Sequence, residues 1–260
     1  HTWDATLALA AHAEATGWDG LWVADHFMPN DDGALDQPMH EALALLGALA
    51  AAVPRVRLGS LVLGNTYRHP AVVAKTAATI DQISGGRLVL GVGAGWQENE
   101  HARYGIPLGT VTERIDWFEE ACEVLVSLRD QRRTTITGAR YELEDAPLEP
   151  KPTGPLPLLI GASGQKRMAA IVAKYADEWN TWSTPSLWLE KRVGFDRALD
   201  QAGRDRGDLY RSTQALVFLG PDGRKTAEDF AKVRPAIGGT SEQLIATIGE
   251  WADAGLDELI

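Results

Sequence analysis

Two apolar runs, at residues 56–63 and 88–92, constrain the fold more than any other feature of the sequence. A strand with one face in water alternates apolar and polar residues, so runs this continuous are typical of parallel strands covered on both faces. Between them a helix is predicted to begin at His69-Pro70, with proline in its first turn, and to end at Gly85-Gly86. The segment therefore predicts a strand, a helix and a second, parallel strand.

The same alternation continues along the chain and indicates an α/β barrel. Seven core strands are predicted, starting after residues 20, 56, 87, 157, 178, 213 and 257. A (β/α)8 TIM barrel needs eight, and the sequence begins inside a predicted helix, so we expect the first strand to lie upstream of His1 and to be missing from the given chain. An open doubly wound sheet is the alternative. GVGAGW does not match that sheet's GxGxxG fingerprint, because Trp96 takes the last glycine's place, so the barrel is favoured.

Capping residues predict where several helices begin. Thr2 is a candidate N-cap for a helix over residues 3–16 that ends at Gly17. Capping boxes, Thr110-x-x-Glu113 and Thr240-x-x-Gln243, open two later helices. The remaining expectations are a helix over 38–52, a loop insertion at about 97–111, a hairpin at about 133–145, a helix over 165–175 and a core strand over 215–219, all within one barrel domain of residues 1–260. Residues 220–239 receive no assignment.

Composition argues against several classes of function. A net charge of −11 opposes nucleic-acid binding, which needs clustered basic residues. No apolar run approaches the roughly 18 residues of a membrane helix, so we expect no membrane insertion. The six histidines show neither HxH nor HExxH spacing, so we expect no metal site. The one cysteine, Cys122, lies on a predicted apolar helix face and is expected to be a buried, inert thiol in a cytoplasmic protein.

Small residues mark two candidate ligand sites. Gly64, Gly91, Gly93 and Gly95 gather toward the carboxyl ends of predicted strands, where parallel α/β folds bind ligands. Residues 161–166 (GASGQK) lie where a strand enters a helix, so free backbone N–H groups and the helix dipole predict a phosphate site there. A tight strand-to-helix turn without a ligand is the alternative.

Several motifs together resemble one known family. LWVADHF, LGSLVLGNTYRHPAVVAKTAATIDQISGGRLVLGVGAGWQENEHARYG and PLLIGASGQKRMAAIVAKYADEWN are similar, in this order, to the bacterial luciferase-like oxidoreductases. The match is nearest to the branch that uses the deazaflavin coenzyme F420. The resemblance implies a luciferase-like barrel, hydride transfer between F420 and a small organic substrate, and a strand ahead of His1.

The resemblance also implies catalytic residues. His26 matches a histidine that moves a proton beside the reactive carbon, and a proton transfer commonly accompanies hydride transfer. A strand-end histidine with only a structural hydrogen bond is the alternative. Asp25 is expected to orient His26 or to contact the cofactor, with a solvated turn aspartate as the alternative. Trp96 stands where sugar-phosphate dehydrogenases of the F420 branch carry a glutamate, which indicates a more apolar pocket and leaves Glu98 as a substitute proton donor.

The remaining site residues follow from the same match. The segment Gly59-Ser60-Leu61-Val62 matches a strand that often carries a non-prolyl cis peptide in relatives, with an ordinary buried strand as the alternative; the sequence does not determine the isomer. The GxG segment matches one that passes close to the cofactor. Asn99 and Glu100 match the family, with loop capping as the alternative role. Trp96 and Trp182 are expected in the substrate pocket. The expected cofactor-binding residues are Asp25, Leu61, Val62, Asn65, Gly93, Ala94, Gly95, Gly161, Ala162, Ser163, Gly164 and Lys166.

Three rival functions remain open. The nearest is a monooxygenase of the same superfamily that uses reduced flavin mononucleotide (FMN) and oxygen, with a separate reductase as partner. A lysine Schiff-base aldolase is disfavoured, because none of the lysines lies in a predicted core strand. A barrel that binds flavin without turnover is the third. A small-molecule substrate is expected in each enzymatic case, and a homodimer is a further expectation.

Overall fold

The structure is a computed structural model that describes residues 2–164 and 166–260. It divides into two compact units, one ending at Leu158 and the other running from Leu159 to Ile260. Gln165, part of the predicted phosphate site and the expected start of a helix, lies outside the described residues. Within the described residues, no helix is long and apolar enough to cross a membrane.

The first unit alternates helices with parallel strands, as the apolar runs predict. Its helices are α1 (Trp3–Thr16), α2 (Ala42–Ala52), α3 (Pro70–Ser84), α4 (Glu98–Tyr104) and α5 (Val111–Asp130). Its strands are β1 (Gly20–Val23), β2 (Arg57–Ser60), β3 (Leu63–Gly64), β4 (Leu88–Gly93), β5 (Thr134–Thr137) and β6 (Glu142–Ala146). β1, β2 and β4 pair in parallel in that order, and β3 also pairs with β4. Leu58 and Leu88 face each other in this sheet and are buried, which confirms strands covered on both faces.

The capping signals place helix ends accurately. The Thr2 side chain accepts a hydrogen bond from Ala5 N, and Gly17 ends α1 in the left-handed conformation. The predicted bounds of α3 and the Thr110 capping box of α5 are likewise confirmed. The helix predicted over 38–52 instead begins at Ala42, because the Glu41 carboxylate caps its first turn.

Two other expectations in the first unit need correction, and one is confirmed. The run at residues 56–63 is not one strand. It splits into β2 and β3, and the peptide bond between Leu61 and Val62 is cis. The insertion expected as a loop at 97–111 contains α4, a seven-residue helix too short to show a clear apolar period. The hairpin expected at 133–145 is present, as antiparallel β5 and β6.

The second unit repeats the alternation. Its elements are β7 (Leu158–Gly161), which begins at the last residue of the first unit, α6 (Arg167–Tyr175), β8 (Glu178–Trp182), α7 (Pro185–Ala202), a 3-10 turn (Arg206–Asp208), β9 (Tyr210–Gln214), β10 (Leu216–Leu219), α8 (Gly223–Phe230), β11 (Ala236–Gly239), α9 (Ser241–Asp253) and β12 (Glu258–Leu259). β7, β8, β9 and β12 pair in parallel in that order. The core includes Trp179, whose ring stacks on Phe195 with centroids 3.7 Å apart.

One core strand was predicted at the wrong place. The strand that pairs with β8 is the polar segment β9. The apolar run predicted over 215–219 instead forms β10, which pairs in parallel with β11 and not with the strands of that sheet. Ser212 and Thr213 of β9 are buried and hydrogen-bonded to neighbouring groups, so burial in this strand does not require apolar residues. The unassigned residues 220–239 contain α8 and β11.

Candidate active site

His26 follows β1 and meets a carboxylate from α4. Its Nδ1 lies 2.7 Å from Glu100 Oε1, and its side chain is 24% exposed. An ionised carboxylate can only accept, so Nδ1 carries the hydrogen and Nε2 is the nitrogen left to exchange a proton. One nitrogen of His26 is thus anchored by a structural hydrogen bond, and the other has no protein partner among the described residues.

Glu100 collects three hydrogen-bond donors. It is fully buried, and Oε1 accepts from Tyr67 as well as from His26, while Oε2 accepts from the Phe27 backbone N–H at 2.8 Å. Together, burial and the bond to Glu100 raise the pKa of the Tyr67 phenol, so Tyr67 remains a donor at neutral pH. A carboxylate held from three sides fixes the orientation of the imidazole.

A second histidine, His101, supports the same region. It is buried, its Nδ1 lies 2.6 Å from the Gln97 carbonyl, and its Nε2 lies 2.7 Å from Thr66 Oγ1. Because a carbonyl only accepts, Nδ1 carries the hydrogen, and in the neutral ring Nε2 accepts from Thr66. The His101 ring also stacks on Tyr67 with centroids 4.7 Å apart. His101 thus links α4 to the segment after β3.

Asp25 is not a solvated turn residue. It is 2% exposed, both of its oxygens accept from the Arg68 guanidinium at 2.7 and 2.8 Å, and Gly64 N donates to it at 2.9 Å. Burial alone would lower the pKa of Arg68, but the hydrogen bonds to Asp25 and Glu41 raise it. No hydrogen bond joins Asp25 to His26 in the described residues. Orientation of the histidine therefore falls to Glu100.

The glycine-rich end of β4 packs against the cis peptide segment. A Cβ at Gly91 would lie 1.9 Å from the Ser60 carbonyl oxygen, so only glycine fits there. The peptide bond between Leu61 and Val62, whose isomer the sequence left open, is cis. Gly95 has a φ of +86°, and a Cβ there would lie 2.7 Å from Thr66 Oγ1. The structure thus brings the predicted residues near Leu61, Gly93 and Gly95 to one end of the strands, where the Asn65 N–H donates to the Gly93 carbonyl at 2.9 Å.

Trp96, Glu98 and Asn99 follow this turn. The Trp96 ring is 48% exposed and lies edge-on to the His26 ring, with centroids 5.5 Å apart. Asn99 donates to the Pro29 carbonyl at 3.2 Å, but its Oδ1 is buried without a hydrogen-bond partner. Glu98 is exposed in the first turn of α4. The geometry therefore places Glu100, and not Glu98, beside His26, a pairing that the sequence analysis missed.

The predicted phosphate turn lies in the second unit. Ala162 is buried, its N–H donates to the Asn180 carbonyl, and Ser163, Gly164 and Lys166 are exposed. Within the part of the chain that the structure describes, no side chain caps the first turn of α6. The Ser163 hydroxyl lies 3.2 Å from Thr181 Oγ1. The turn is therefore open to solvent on one side and tied to β8 on the other.

Buried polar side chains follow this turn into β8 and β9. Asn180 donates to Ser212 Oγ at 2.9 Å and accepts from Gln214 at 2.9 Å. Trp182 ends β8, and the Arg234 guanidinium lies over its ring at 4.9 Å. A buried polar layer at the carboxyl ends of parallel strands is suited to binding a polar ligand.

Lys191 of α7 is a residue that sequence reasoning missed. Its Nζ donates to the Trp182 carbonyl at 2.7 Å and to Thr181 Oγ1 at 3.0 Å, and partial burial lowers its pKa. No motif signals it, because it lies ten positions from Thr181 on a different element.

A reactive cysteine and a metal site were also considered from the sequence. Cys122 is fully buried, and burial raises the pKa of its thiol, which confirms an inert thiol. Among the described residues, no cluster of histidine, cysteine or carboxylate side chains could hold a metal ion.

The comparisons with known proteins place this fold and these motifs in one family. The chain belongs to the luciferase-like monooxygenase family, whose family model matches residues 1–258. It is 35% identical over 216 residues to an F420-dependent glucose-6-phosphate dehydrogenase of Microbacterium testaceum, a match that covers 81% of this chain and 62% of the relative. It is 32% identical over 171 residues to the pyrimidine monooxygenase RutA of Yersinia enterocolitica, covering 64% of this chain and 46% of the relative. The chain thus spans about half to two thirds of the length of these relatives.

A solved structure supports the fold independently. An F420-dependent secondary alcohol dehydrogenase, in complex with an F420-acetone adduct, matches 98% of this chain and 88% of its own chain with a TM-score of 0.86 and 26% identity. The predicted α/β fold of the TIM-barrel class is confirmed by this match, and the open doubly wound sheet is excluded.

Proposed function

We propose that this chain is an F420-dependent oxidoreductase that transfers a hydride between the deazaflavin and a carbon of a small organic substrate. The observation that carries the proposal is the hydrogen bond between His26 and the buried Glu100. It leaves one imidazole nitrogen to exchange a proton, which is what oxidation of an alcohol or reduction of a carbonyl needs beside hydride transfer. The names of the Microbacterium relative and of the alcohol dehydrogenase support the choice of cofactor.

The residues present fit such a cofactor. Asn99 Oδ1 is a buried acceptor without a partner, and the pyrimidine edge of a deazaflavin carries an N–H that can donate to it. The expected contacts at Asp25, Leu61, Val62, Asn65, Gly93, Ala94 and Gly95 remain part of this proposal for the ring. The expected contacts with the cofactor phosphate likewise remain part of the proposal, at Gly161, Ala162, Ser163, Gly164 and Lys166.

The bound deazaflavin would supply a hydride donor or acceptor, and the protein supplies the proton chemistry. His26 Nε2 takes the proton from the substrate oxygen, or returns it in the reverse direction, while Nδ1 stays bonded to Glu100. The negative charge of Glu100 stabilises the imidazolium that forms. Tyr67 and the Phe27 N–H hold the carboxylate, so the imidazole does not need to reorient during the reaction.

Trp96 indicates the class of substrate. An exposed indole beside His26 offers an apolar contact and no proton. A sugar phosphate is therefore disfavoured, and we propose a small, largely apolar alcohol or ketone. The acetone adduct named for the related alcohol dehydrogenase supports this class. Trp182, half-buried under Arg234, remains a proposed substrate contact.

An FMN-dependent monooxygenase is the second candidate, because the pyrimidine monooxygenase RutA is a relative of similar identity. In that case reduced flavin from a separate reductase and molecular oxygen would be needed. The separate reductase remains an expectation that belongs to this candidate. A homodimer remains an expectation for each candidate. A flavin-binding barrel without turnover is the third possibility, and a measured activity would exclude it.

Cofactor binding separates the first two candidates. Titration of the protein with F420 and with FMN, in oxidised and reduced forms, is expected to give the tighter dissociation constant for F420. Binding of FMN alone would replace the proposal by the monooxygenase.

Substitution of His26 tests the chemistry. His26→Ala is expected to lower kcat by about 10²–10⁴-fold, the usual scale for loss of a general acid or base, with little change in F420 affinity. His12→Ala, on the exposed face of α1, is the matched control and is expected to keep wild-type turnover. Near-normal turnover of His26→Ala would make the histidine structural.

A further inference from the structure

Two hydrogen bonds join α4 to the segment after β3, and they use consecutive residues on both sides. The first joins the Tyr67 hydroxyl to Glu100 Oε1. The second joins their chain neighbours, Thr66 Oγ1 and His101 Nε2, at 2.7 Å. Because consecutive residues share a planar peptide unit, the position of Thr66 restricts that of Tyr67. The bond to His101 therefore helps to hold the Tyr67 phenol at the carboxylate.

The direction of the second bond is fixed by the tautomer of His101. Its Nδ1–H donates to the Gln97 carbonyl at 2.6 Å, so Nε2 of the neutral ring accepts from the Thr66 hydroxyl. His101 is 2% exposed, and among the described residues Thr66 is the one hydrogen-bond partner of its Nε2. A buried acceptor without a donor is costly, so this contact resists separation.

The same imidazole also fixes the Tyr67 ring. The two rings stack with centroids 4.7 Å apart and planes at 27°. The Phe27 ring contacts Tyr67 as well, with centroids 4.8 Å apart. Tyr67 is thus held by its backbone neighbour and by two aromatic rings, with its hydroxyl at Glu100 Oε1.

Tyr67 influences His26 because both donate to one oxygen. Glu100 Oε1 accepts from the phenol and from His26 Nδ1. Two donors that share an acceptor compete for its electron density, so each bond is weaker than it would be alone. Moving Tyr67 away would strengthen the bond to His26 but leave the carboxylate held at fewer points.

Thr66 has a second neighbour, the turn at Gly95. A Cβ at Gly95 would lie 2.7 Å from Thr66 Oγ1 and 3.2 Å from its Cγ2, so the threonine fills the space beside this turn. Thr66 therefore has two conceivable roles, and they require different atoms. Holding Tyr67 through His101 needs the hydroxyl, whereas packing against Gly95 needs only the volume.

We propose that Thr66 is a positioning residue for proton transfer at His26. Its hydroxyl, bound to His101, holds Tyr67 in place. Tyr67 in turn holds the Glu100 carboxylate, which orients the imidazole of His26. The effect on turnover rests on the proposed function. The contacts themselves do not, because they involve only side chains of the protein and can be observed without a cofactor.

The first test compares two Thr66 variants in the reduction of F420 by propan-2-ol. Thr66→Val keeps the volume and loses the hydroxyl, so we expect kcat to fall about 2- to 10-fold, the effect of one net hydrogen bond, and F420 affinity to change by less than about twofold. Thr66→Ser keeps the hydroxyl and is expected to lose less. Thr79→Val, which removes an exposed hydroxyl from α3, is the matched control and is expected to keep wild-type turnover. The reverse order, with Thr66→Ser more impaired than Thr66→Val, would show a packing role and overturn the proposal.

A double-mutant cycle tests whether Thr66 acts through Tyr67. If it does, the variant that combines Thr66→Val with Tyr67→Phe has the kcat of Tyr67→Phe alone, because the hydroxyl that Thr66 positions is already absent. Losses that multiply would mean that the two residues act independently, which contradicts the proposal.

Proton NMR of the protein without cofactor gives a result that does not depend on turnover. At about pH 8, where a free imidazole is neutral, the Nδ1–H resonance of His26 is identified by its absence from His26→Ala. Thr66→Val and Tyr67→Phe are both expected to move it downfield, because His26 then competes less for Glu100 Oε1. If the added methyl group crowds Gly95 and prevents folding, Thr66→Ala replaces Thr66→Val in each comparison.

The NMR result separates this proposal from the proposed function. If wild-type protein does not reduce F420 but the resonance moves as expected, the function is wrong and the positioning role stands. If the resonance moves in Tyr67→Phe and stays unchanged in the folded Thr66 variant, the positioning role is refuted, whatever the turnover.

Discussion

At the scale of single residues, Glu100 is the group on which the catalytic proposal depends. We predict that Glu100→Gln lowers kcat by about 10²-fold or more, because the amide cannot stabilise an imidazolium and presents an N–H₂ group to donors. His26, Tyr67 and the Phe27 N–H would compete for one carbonyl oxygen. The unfolding free energy is therefore expected to fall by about 1–3 kcal/mol. Steady-state kinetics and urea unfolding measure both effects.

Glu98 provides the matched control for this prediction. It lies two positions away on the same helix but is exposed, so Glu98→Gln is expected to leave turnover and stability unchanged. The opposite result, with turnover lost in Glu98→Gln and kept in Glu100→Gln, would show that Glu98 donates the proton, as the sequence alone suggested. Tyr67→Phe removes one of the three donors, and a smaller loss than in Glu100→Gln is expected.

At the scale of elements, the buried thiol of α5 makes stability depend on alkaline pH. Burial raises the pKa of Cys122, and the nearby Glu119 charge adds to the shift. The unfolded thiol ionises near pH 8.5 while the folded thiol stays protonated, so the stabilisation is complete below about pH 8.5 and is lost as pH rises toward the folded pKa. Above that pH, the unfolding free energy of the wild type is predicted to fall more steeply than that of Cys122→Ala. The difference between the two slopes is up to about 1.4 kcal/mol per pH unit.

The measurement is urea unfolding of both proteins from pH 7 to pH 10. Loss of packing in Cys122→Ala adds an offset that does not change with pH, so only the difference in slope reports the thiol. Tyr67 contributes with the same sign, but only from about pH 10 upward, because a free phenol ionises there. Parallel profiles for the two proteins would mean that the Cys122 thiol ionises equally in both states.

The helices and strands also differ in how well the sequence predicts them. Signals contained within one element were read correctly: the Thr2 cap, the capping boxes at Thr110 and Thr240, and the glycine stop of α3 all match the structure. Signals that depend on tertiary context were not. β9 is a core strand although Ser212 and Thr213 are polar, because hydrogen bonds to the neighbouring strand satisfy them.

The candidate site follows the same rule. His26 and the strand around Leu61 belong to motifs that the sequence shows directly, although only the structure shows the cis bond after Leu61 and the contact of His26 with Glu100. Glu100 approaches His26 across 74 positions, and Lys191 approaches Ser163 through Thr181, so no local pattern could pair them. The sequence shows which residue types are present, but only the fold shows which of these side chains lie next to each other.

At the scale of the whole molecule, net charge opposes the proposed ligand. The chain carries −11 at pH 7, and F420 is itself an anion, so their long-range interaction is repulsive. The Debye length falls from about 30 Å at 0.01 M salt to about 8 Å at 0.15 M, which screens distant carboxylates but not a contact such as that expected at Ser163. We therefore predict that the association rate constant of F420 rises as salt increases over this range.

Stopped-flow fluorescence measures that rate, and the phosphate-free deazaflavin fragment is the control. It carries less negative charge, so its association rate is expected to change less. The dissociation rate of F420 should vary little over the same range, because short-range contacts determine it. An association rate that instead falls with salt would mean that Lys191 and Arg234 dominate the field an approaching anion experiences. Repeating the series with Lys191→Met would then identify how much of that attraction is due to Lys191.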